Sequence, residues 1–192
     1  MFEAITRLDF AILDWIQSNI KCAFLDVLAS CWRFFGEAGI FWIAIAIGLM
    51  ITKKYRKLGV TLALSFAIGA LTVNLGLKPL VGRVRPYDIN TGINVLIPHL
   101  SDYSFPSGHT LICAEAAAVL WHFDRRFGIP AAICAVIMAF SRVYLYVHYP
   151  SDVLVGLILG AVNGIIAISA VNAIWKKRGF YAKTNQDLSN GN

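Results

Sequence analysis

Charged side chains are scarce in this sequence: Asp, Glu, Lys and Arg make up 15% of 192 residues, against 58% hydrophobic ones. A soluble domain of this length needs more polar surface to cover one core, so the expected solvent is a membrane. Acid is scarcer than base, with 11 Asp and Glu against 17 Lys and Arg and a formal net charge of +6. Such an excess can mark a nucleic-acid binder, but the cations stand in short clusters between apolar runs instead of along one amphipathic face, and no nucleic-acid partner is expected. Cysteine is limited to Cys22, Cys31, Cys113 and Cys134. Their spacing forms no CxxC or Cys/His metal pattern, so they read as small apolar side chains. A signal-peptide pattern is also missing, because Asp9, Asp14, Gln17 and Lys21 interrupt the first apolar stretch; the mature protein is expected to keep it. No internal repeat or low-complexity stretch appears, and one domain accounts for the length.

What the chain has in abundance is apolar length. Five runs stand out, over roughly 38–52, 58–80, 108–123, 127–146 and 152–175, each about long enough to span hydrocarbon, though the third is short. There the backbone must satisfy its own hydrogen bonds, and the runs exceed the length of barrel strands. The spacing predicts an all-α, polytopic transmembrane helix bundle with five or six helices. The sixth candidate is residues 5–33, where Phe10, Ile12, Leu13, Trp15, Ile16 and Ile20 are interleaved with Asp14, Gln17, Ser18 and Lys21. These internal charges favour an interfacial amphipathic helix over a tilted span. The pattern divides the chain into an N-terminal helical segment over 1–35, a membrane core over 36–178 and a polar tail over 179–192. Partial disorder is expected from Lys176 onward.

The basic clusters set the expected orientation. Lys53, Lys54, Arg56 and Lys57 follow the first run, Arg125 and Arg126 the third, and Lys176, Lys177 and Arg178 the fifth, which puts every basic loop on one side, the cytoplasmic one by the positive-inside rule. The regions around 78–108 and 142–152 then face outward. In the fifth run Gly156, Gly160 and Gly164 recur every four residues; close packing within the molecule is favoured over a dimer contact.

The outward ends carry the residues suited to chemistry: Lys78 with Arg85-Pro86, then Pro106-Ser107-Gly108-His109, then Ser141-Arg142 followed by His148 and Asp152. Ionisable groups at membrane depth are costly without a partner or ligand. Lys78, Arg85 and Arg142 offer a point charge and two forked guanidinium groups, a set suited to the oxygens of a phosphoryl group. Ser107 and Gly108 immediately precede an apolar helical run, where exposed N–H groups favour an anion, although an ordinary Ser N-cap gives the same pattern. His148 and Asp152 are four apart at a helix start, so the carboxylate can bond one ring nitrogen and leave the other to attack phosphorus. His109 is a second imidazole able to protonate a leaving alkoxide. His99 and His122 have no comparable partners. Glu115, in the third run, reads as a protonated or hydrogen-bonded buried acid before a headgroup ligand, and Arg83 as a possible extra phosphate ligand.

Taken together, these motifs resemble the signature of the type 2 phosphatidic acid phosphatase superfamily of lipid phosphate phosphatases. Lys78, six residues, then Arg85-Pro86 match its first part; residues 106–109 match Pro-Ser-Gly-His; Ser141-Arg142, five residues, His148, three residues and Asp152 match its third. The resemblance implies that His148 is the nucleophile, Asp152 its orienting carboxylate and His109 the acid for the leaving group. It implies that Lys78, Arg85, Ser107, Gly108 and Arg142 hold the phosphate. It further implies a reaction without metal or other cofactor, in agreement with the lack of a carboxylate cluster at ligand spacing. Soluble vanadium haloperoxidases share the signatures, but the apolar composition argues against that branch.

A small outward-facing enzyme in the lipid bilayer suits recycling of undecaprenyl diphosphate. Phosphatidylglycerophosphate or phosphatidic acid is the alternative substrate, and transfer of the phosphoryl group to an alcohol instead of water stays open. A non-catalytic lipid or anion carrier would need the cations but neither His148 nor His109. The oligomeric state is not legible.

Overall fold

The structure, a computed structural model, describes residues 2–36, 39–98 and 100–190. Its helices are α1 (Phe2–Asn19), α2 (Ala23–Gly36), α3 (Ile40–Ile51), α4 (Arg56–Gly69), a π-helical continuation over Ala70–Leu77, α5 (Lys78–Val81), α6 (Pro86–Ile89), α7 (Gly108–Phe123), α8 (Arg125–Tyr144) and α9 (Pro150–Asn190). No strand occurs among the described residues. The all-α bundle is the one the apolar runs predict. The stretches Arg56–Ile89, Arg125–Tyr144 and Pro150–Lys177 are long and apolar enough to cross a membrane, with Ala23–Trp32 and Ile40–Ile51 as shorter apolar helices.

Local chemistry sets several boundaries. Asp124 caps α8 by accepting from Arg126 N at 2.8 Å, and Pro150 opens α9, where its missing N–H is not needed. The second apolar run is one continuous helical path from α4 to α5, but its π-helical middle has no counterpart in the sequence pattern. Such widened turns often lie beside functional sites, and this one leads directly into Lys78.

At the centre α7 packs against α8 and α9, with α4 on a further side. Its buried residues, Thr110, Leu111, Cys113, Ala114, Glu115, Ala116, Val119 and Leu120, run round the helix, as expected where neighbours cover it on all sides. The glycines of α9 face this helix. A Cβ at Gly160 would stand 2.4 Å from the Leu111 carbonyl oxygen, and one at Gly156 2.7 Å from that of Ser107. The stripe therefore serves packing within the molecule, where close backbone approach replaces a hydrophobic drive that lipid does not supply.

The N-terminal segment departs from expectation. Residues 5–33 form two helices, broken between Asn19 and Ala23. Tyr144 holds the break: its hydroxyl accepts from Cys22 N at 3.2 Å and donates to Asp26 Oδ1 at 2.6 Å. Along α1, Asp9 bonds Ser151, Asp14 bonds Tyr146 and Gln17 bonds the Tyr144 carbonyl, all at the junction of α8 and α9. A helix of this length would be about 27 Å long, so its contacts at one level mean that it lies across that end of the bundle. The chain then turns along α8 as α2. The loops after α3 and α7 meet at the opposite end, where Lys57 Nζ lies 6.0 Å from the Phe123 ring centre.

Candidate active site

The residues singled out in sequence converge where α1 crosses the bundle. Lys78 opens α5, Arg85 precedes α6, Ser107 to His109 begin α7, Arg142 ends α8, and Asp152 lies in the first turn of α9. His148 sits in the turn between α8 and α9. That turn reverses through Tyr146, whose φ of 60° is left-handed, a conformation costly for a bulky residue unless its surroundings hold it. The Tyr146 hydroxyl does so, donating to Asp14 Oδ1 at 2.6 Å and accepting from Asn90 Nδ2 at 3.2 Å.

Lys78, Arg85, Gly108, His109 and His148 line one cavity of about 310 Å³. It continues between Ile43, Phe66, Val73, Leu111 and Ile112 toward Glu115. A polar end and an apolar body in one space match the two halves of an amphiphile. Ser107, Arg142 and Asp152 stand behind this lining, each fully or almost fully buried.

His148 is oriented differently from the sequence expectation. Its Nδ1 lies 2.8 Å from the Ser104 carbonyl oxygen, which can only accept, so Nδ1 carries the hydrogen and Nε2 is the open nitrogen of the neutral ring. Asp152 Oδ2 reaches Nδ1 only at 3.7 Å. That carboxylate accepts instead from Ser104 Oγ at 2.5 Å, Tyr149 N at 3.1 Å and Arg83 Nη1 at 2.5 Å. Burial pulls the His148 pKa down to about 4, with Arg85 and Arg142 adding to the effect and Asp152 opposing it.

Arg85 joins the clusters. Nη1 donates to the Val147 carbonyl at 2.8 Å and lies 3.3 Å from His148 Nε2, while Nε donates to the Asp102 carbonyl at 2.9 Å and Nη2 to Asp102 Oδ1 at 2.6 Å. Asp102 Oδ2 also pairs with Lys78 Nζ. Partial burial pushes the Asp102 carboxyl up, but Lys78 and Arg85 outweigh this and hold it at about 2. The Arg142 guanidinium is wholly buried, with Nε 3.3 Å from Ser141 Oγ. Ser107 Oγ pairs with Thr110 Oγ1 at 2.9 Å, and its N–H donates to the Asp152 carbonyl at 3.2 Å.

Other expectations change. Arg83 is bonded to Asp9, Ser151 and Asp152, lies 3.7 Å over the Tyr149 ring, and is not among the residues that line the cavity. Glu115 accepts from Asn163 Nδ2 at 3.0 Å, the hydrogen-bonded acid that was expected, and it also lines the cavity. His122 is at the opposite end of α7, and His99 lies outside the described residues. Sequence reasoning missed Asp9, Asp102 and Ser104. Asp102 and Ser104 lie just before Pro106, but a backbone carbonyl partner and a carboxylate between two cations leave no residue-type pattern.

A membrane-embedded helical bundle whose polar cavity brings cations and two imidazoles together is, by fold and site, of the phosphoryl-handling kind. A family model described as the PAP2 superfamily matches residues 54–176, and the chain belongs to that superfamily. Among its relatives, the undecaprenyl-diphosphatase of Sulfolobus acidocaldarius is 38% identical over 121 residues, 62% of this chain and 58% of that protein. The decaprenylphosphoryl-5-phosphoribose phosphatase of Mycobacterium tuberculosis is 38% identical over 138 residues, 70% of this chain and 74% of that protein. Among solved structures, the transmembrane PAP2-type phosphatidylglycerolphosphate phosphatase of Bacillus subtilis superposes with a TM-score of 0.72 at 26% identity, covering 91% of this chain and 87% of that one.

Proposed function

We propose that this protein is an integral membrane lipid phosphatase that hydrolyses a lipid phosphate or diphosphate through a phosphohistidine on His148. One observation carries the reading: His148 donates a hydrogen bond from Nδ1 to the Ser104 carbonyl and lines the same cavity as Lys78, Arg85, Gly108 and His109. In the first step Nε2 forms a bond to phosphorus as the bond from phosphorus to the leaving oxygen breaks, and His109 gives that oxygen a proton. In the second, water attacks the phosphohistidine, His109 takes back a proton, and the N–P bond breaks to release phosphate. Lys78, Arg85 and Arg142, with the Ser107 hydroxyl and the Gly108 backbone, balance charge on the equatorial oxygens. Asp152 supports the ring from behind.

Undecaprenyl diphosphate is the favoured substrate, supported by the name of the Sulfolobus relative and by a cavity that runs from the cations between apolar walls. Phosphatidylglycerophosphate is the second reading, supported by the name of the Bacillus structure. The test is phosphate release by the purified protein in detergent from prenyl diphosphate, phosphatidylglycerophosphate and phosphatidate, with and without chelator. Release above a protein-free control, undiminished by chelator, is expected because the protein's own cations supply the charge that metal ions supply elsewhere. Loss with chelator and recovery with a divalent ion would overturn the mechanism.

The site belongs on the extracytoplasmic face of the cell membrane, an orientation supported by Lys53 to Lys57, Arg125 and Arg126 at the far end of the bundle. Cysteine reporters near Asn90 should react with an impermeant reagent in intact cells, and reporters near Lys54 should react only after lysis. The reverse labelling would overturn this topology.

A further inference from the structure

An acid far in sequence from the motifs is tied directly to them. Asp9 of α1 is 3% exposed. Its Oδ1 accepts from Ser151 N at 2.9 Å, and its Oδ2 from Ser151 Oγ at 2.6 Å and Arg83 Nη2 at 2.8 Å. The other terminal nitrogen of Arg83 donates to Asp152 Oδ1 at 2.5 Å. Asp152 is fixed in turn to Ser104 Oγ, and the Ser104 carbonyl holds Nδ1 of His148. Charge alternates along the chain from Asp9 through Arg83 to Asp152, so each buried group has the partner that offsets its desolvation. Asp9 shares its face of α1 with the buried Leu13 and Ile16, while Leu8 and Trp15 are exposed. Apolar packing alone would not call for an acid there.

We infer that Asp9 is a positioning residue of the catalytic centre: acting through Arg83 it fixes the Asp152 carboxylate, and thereby the Ser104–His148 unit, which makes α1 a working part of the site. Without the Asp9 charge, Arg83 is held by Asp152, Ser151 and the Tyr149 face only. The resulting error is in the aim of His148 Nε2, which matters most as the bond to phosphorus forms. It should therefore appear in kcat and hardly in KM. The inference rests on His148 being the nucleophile.

The experiment uses the full-length protein in detergent, with a short-chain phosphatidate in mixed micelles and p-nitrophenyl phosphate as probes. Asp9→Asn and Arg83→Gln should each lower kcat about 10- to 100-fold, with KM within about threefold. The double variant should lose about as much as the worse single one, because both cut the same link. Gln17→Ala, which releases α1 from the Tyr144 carbonyl without touching Arg83, should keep kcat within about twofold. The inference fails if Asp9→Asn keeps near-normal kcat, if the two losses add, or if Gln17→Ala matches them, since the last would mean that α1 only needs anchoring. If Asp9→Asn does not fold, Arg83→Gln carries the test alone: a kcat loss at constant KM supports the link, and unchanged kcat overturns it. Turnover surviving in His148→Ala would remove the phosphohistidine reading itself, whereas its loss beside a normal Asp9→Asn would remove only this inference.

Discussion

His148→Ala should abolish turnover, by roughly 10⁴-fold or more, while the protein remains folded in detergent. The substitution removes the imidazole nitrogen 3.3 Å from Arg85 Nη1, the atom proposed to bond to phosphorus. Its structural cost is bearable: the buried Ser104 carbonyl loses its partner, at about 1–3 kcal/mol, and Arg85 keeps its bonds to Val147 and Asp102. Phosphate release from an aryl phosphate, read beside size-exclusion behaviour, checks both parts. A folded variant with more than about 1% of wild-type kcat/KM would remove His148 from the nucleophile's role. The wild type should show a matching pH signature. Because burial and the neighbouring guanidinium groups lower the His148 pKa to about 4, the ring is neutral at pH 7 and loses its lone pair only as the pH falls through that value. Once the second ionisation of the substrate phosphate, near pH 6, is allowed for, the acid limb of kcat/KM should lie near 4 and not near the ordinary histidine value of 6.5.

His109→Ala should cost about 10²- to 10⁴-fold on a lipid phosphate monoester and well under tenfold on p-nitrophenyl phosphate. An alkoxide is a poor leaving group and needs a proton as the bond breaks, whereas nitrophenolate does not. His109 lies in the first turn of α7 and lines the cavity with His148, so a leaving oxygen bound there can be reached by both rings. Parallel kcat/KM measurements on the two substrates decide the matter. Equal losses would mean that His109 binds phosphate and does not act as an acid. A lipid diphosphate should behave more like the aryl ester, because its leaving group is itself a phosphate.

The bundle and most of the site were legible in the sequence because both rest on local pattern. Apolar runs of spanning length dictate helices in hydrocarbon, and the motif spacings put Lys78, Arg85, His109, Arg142 and His148 at helix ends that the alternation of spans brings to one side. The misses share a cause. The charges in residues 5–33 suggested one interfacial helix, but the break before α2 depends on Tyr144, 122 residues away from Cys22. The pairing of Arg83 was not legible because its partners, Asp9 and Asp152, lie 74 and 69 residues away. Asp152 is four residues from His148, the right spacing for a direct bond, yet the backbone of Ser104 takes that place. Carbonyl partners and contacts between distant segments have no signature in residue type.

The glycine stripe of α9 bears on catalysis as well as on packing. Gly156 and Gly160 rest on the Ser107 and Leu111 carbonyl oxygens of α7, so the helix that follows His148 and the helix that begins at Gly108 meet main chain to main chain. Elsewhere in a core an added methyl can be absorbed by a side chain changing rotamer. Here there is no side chain to yield, and any added atom must slide one helix past the other as a rigid body. A displacement of about 1 Å at this level is enough to misalign an in-line attack. In the proposed reaction, the alignment of His148 with the phosphate is thus a matter of helix registration, set by the absence of side chains at Gly156 and Gly160.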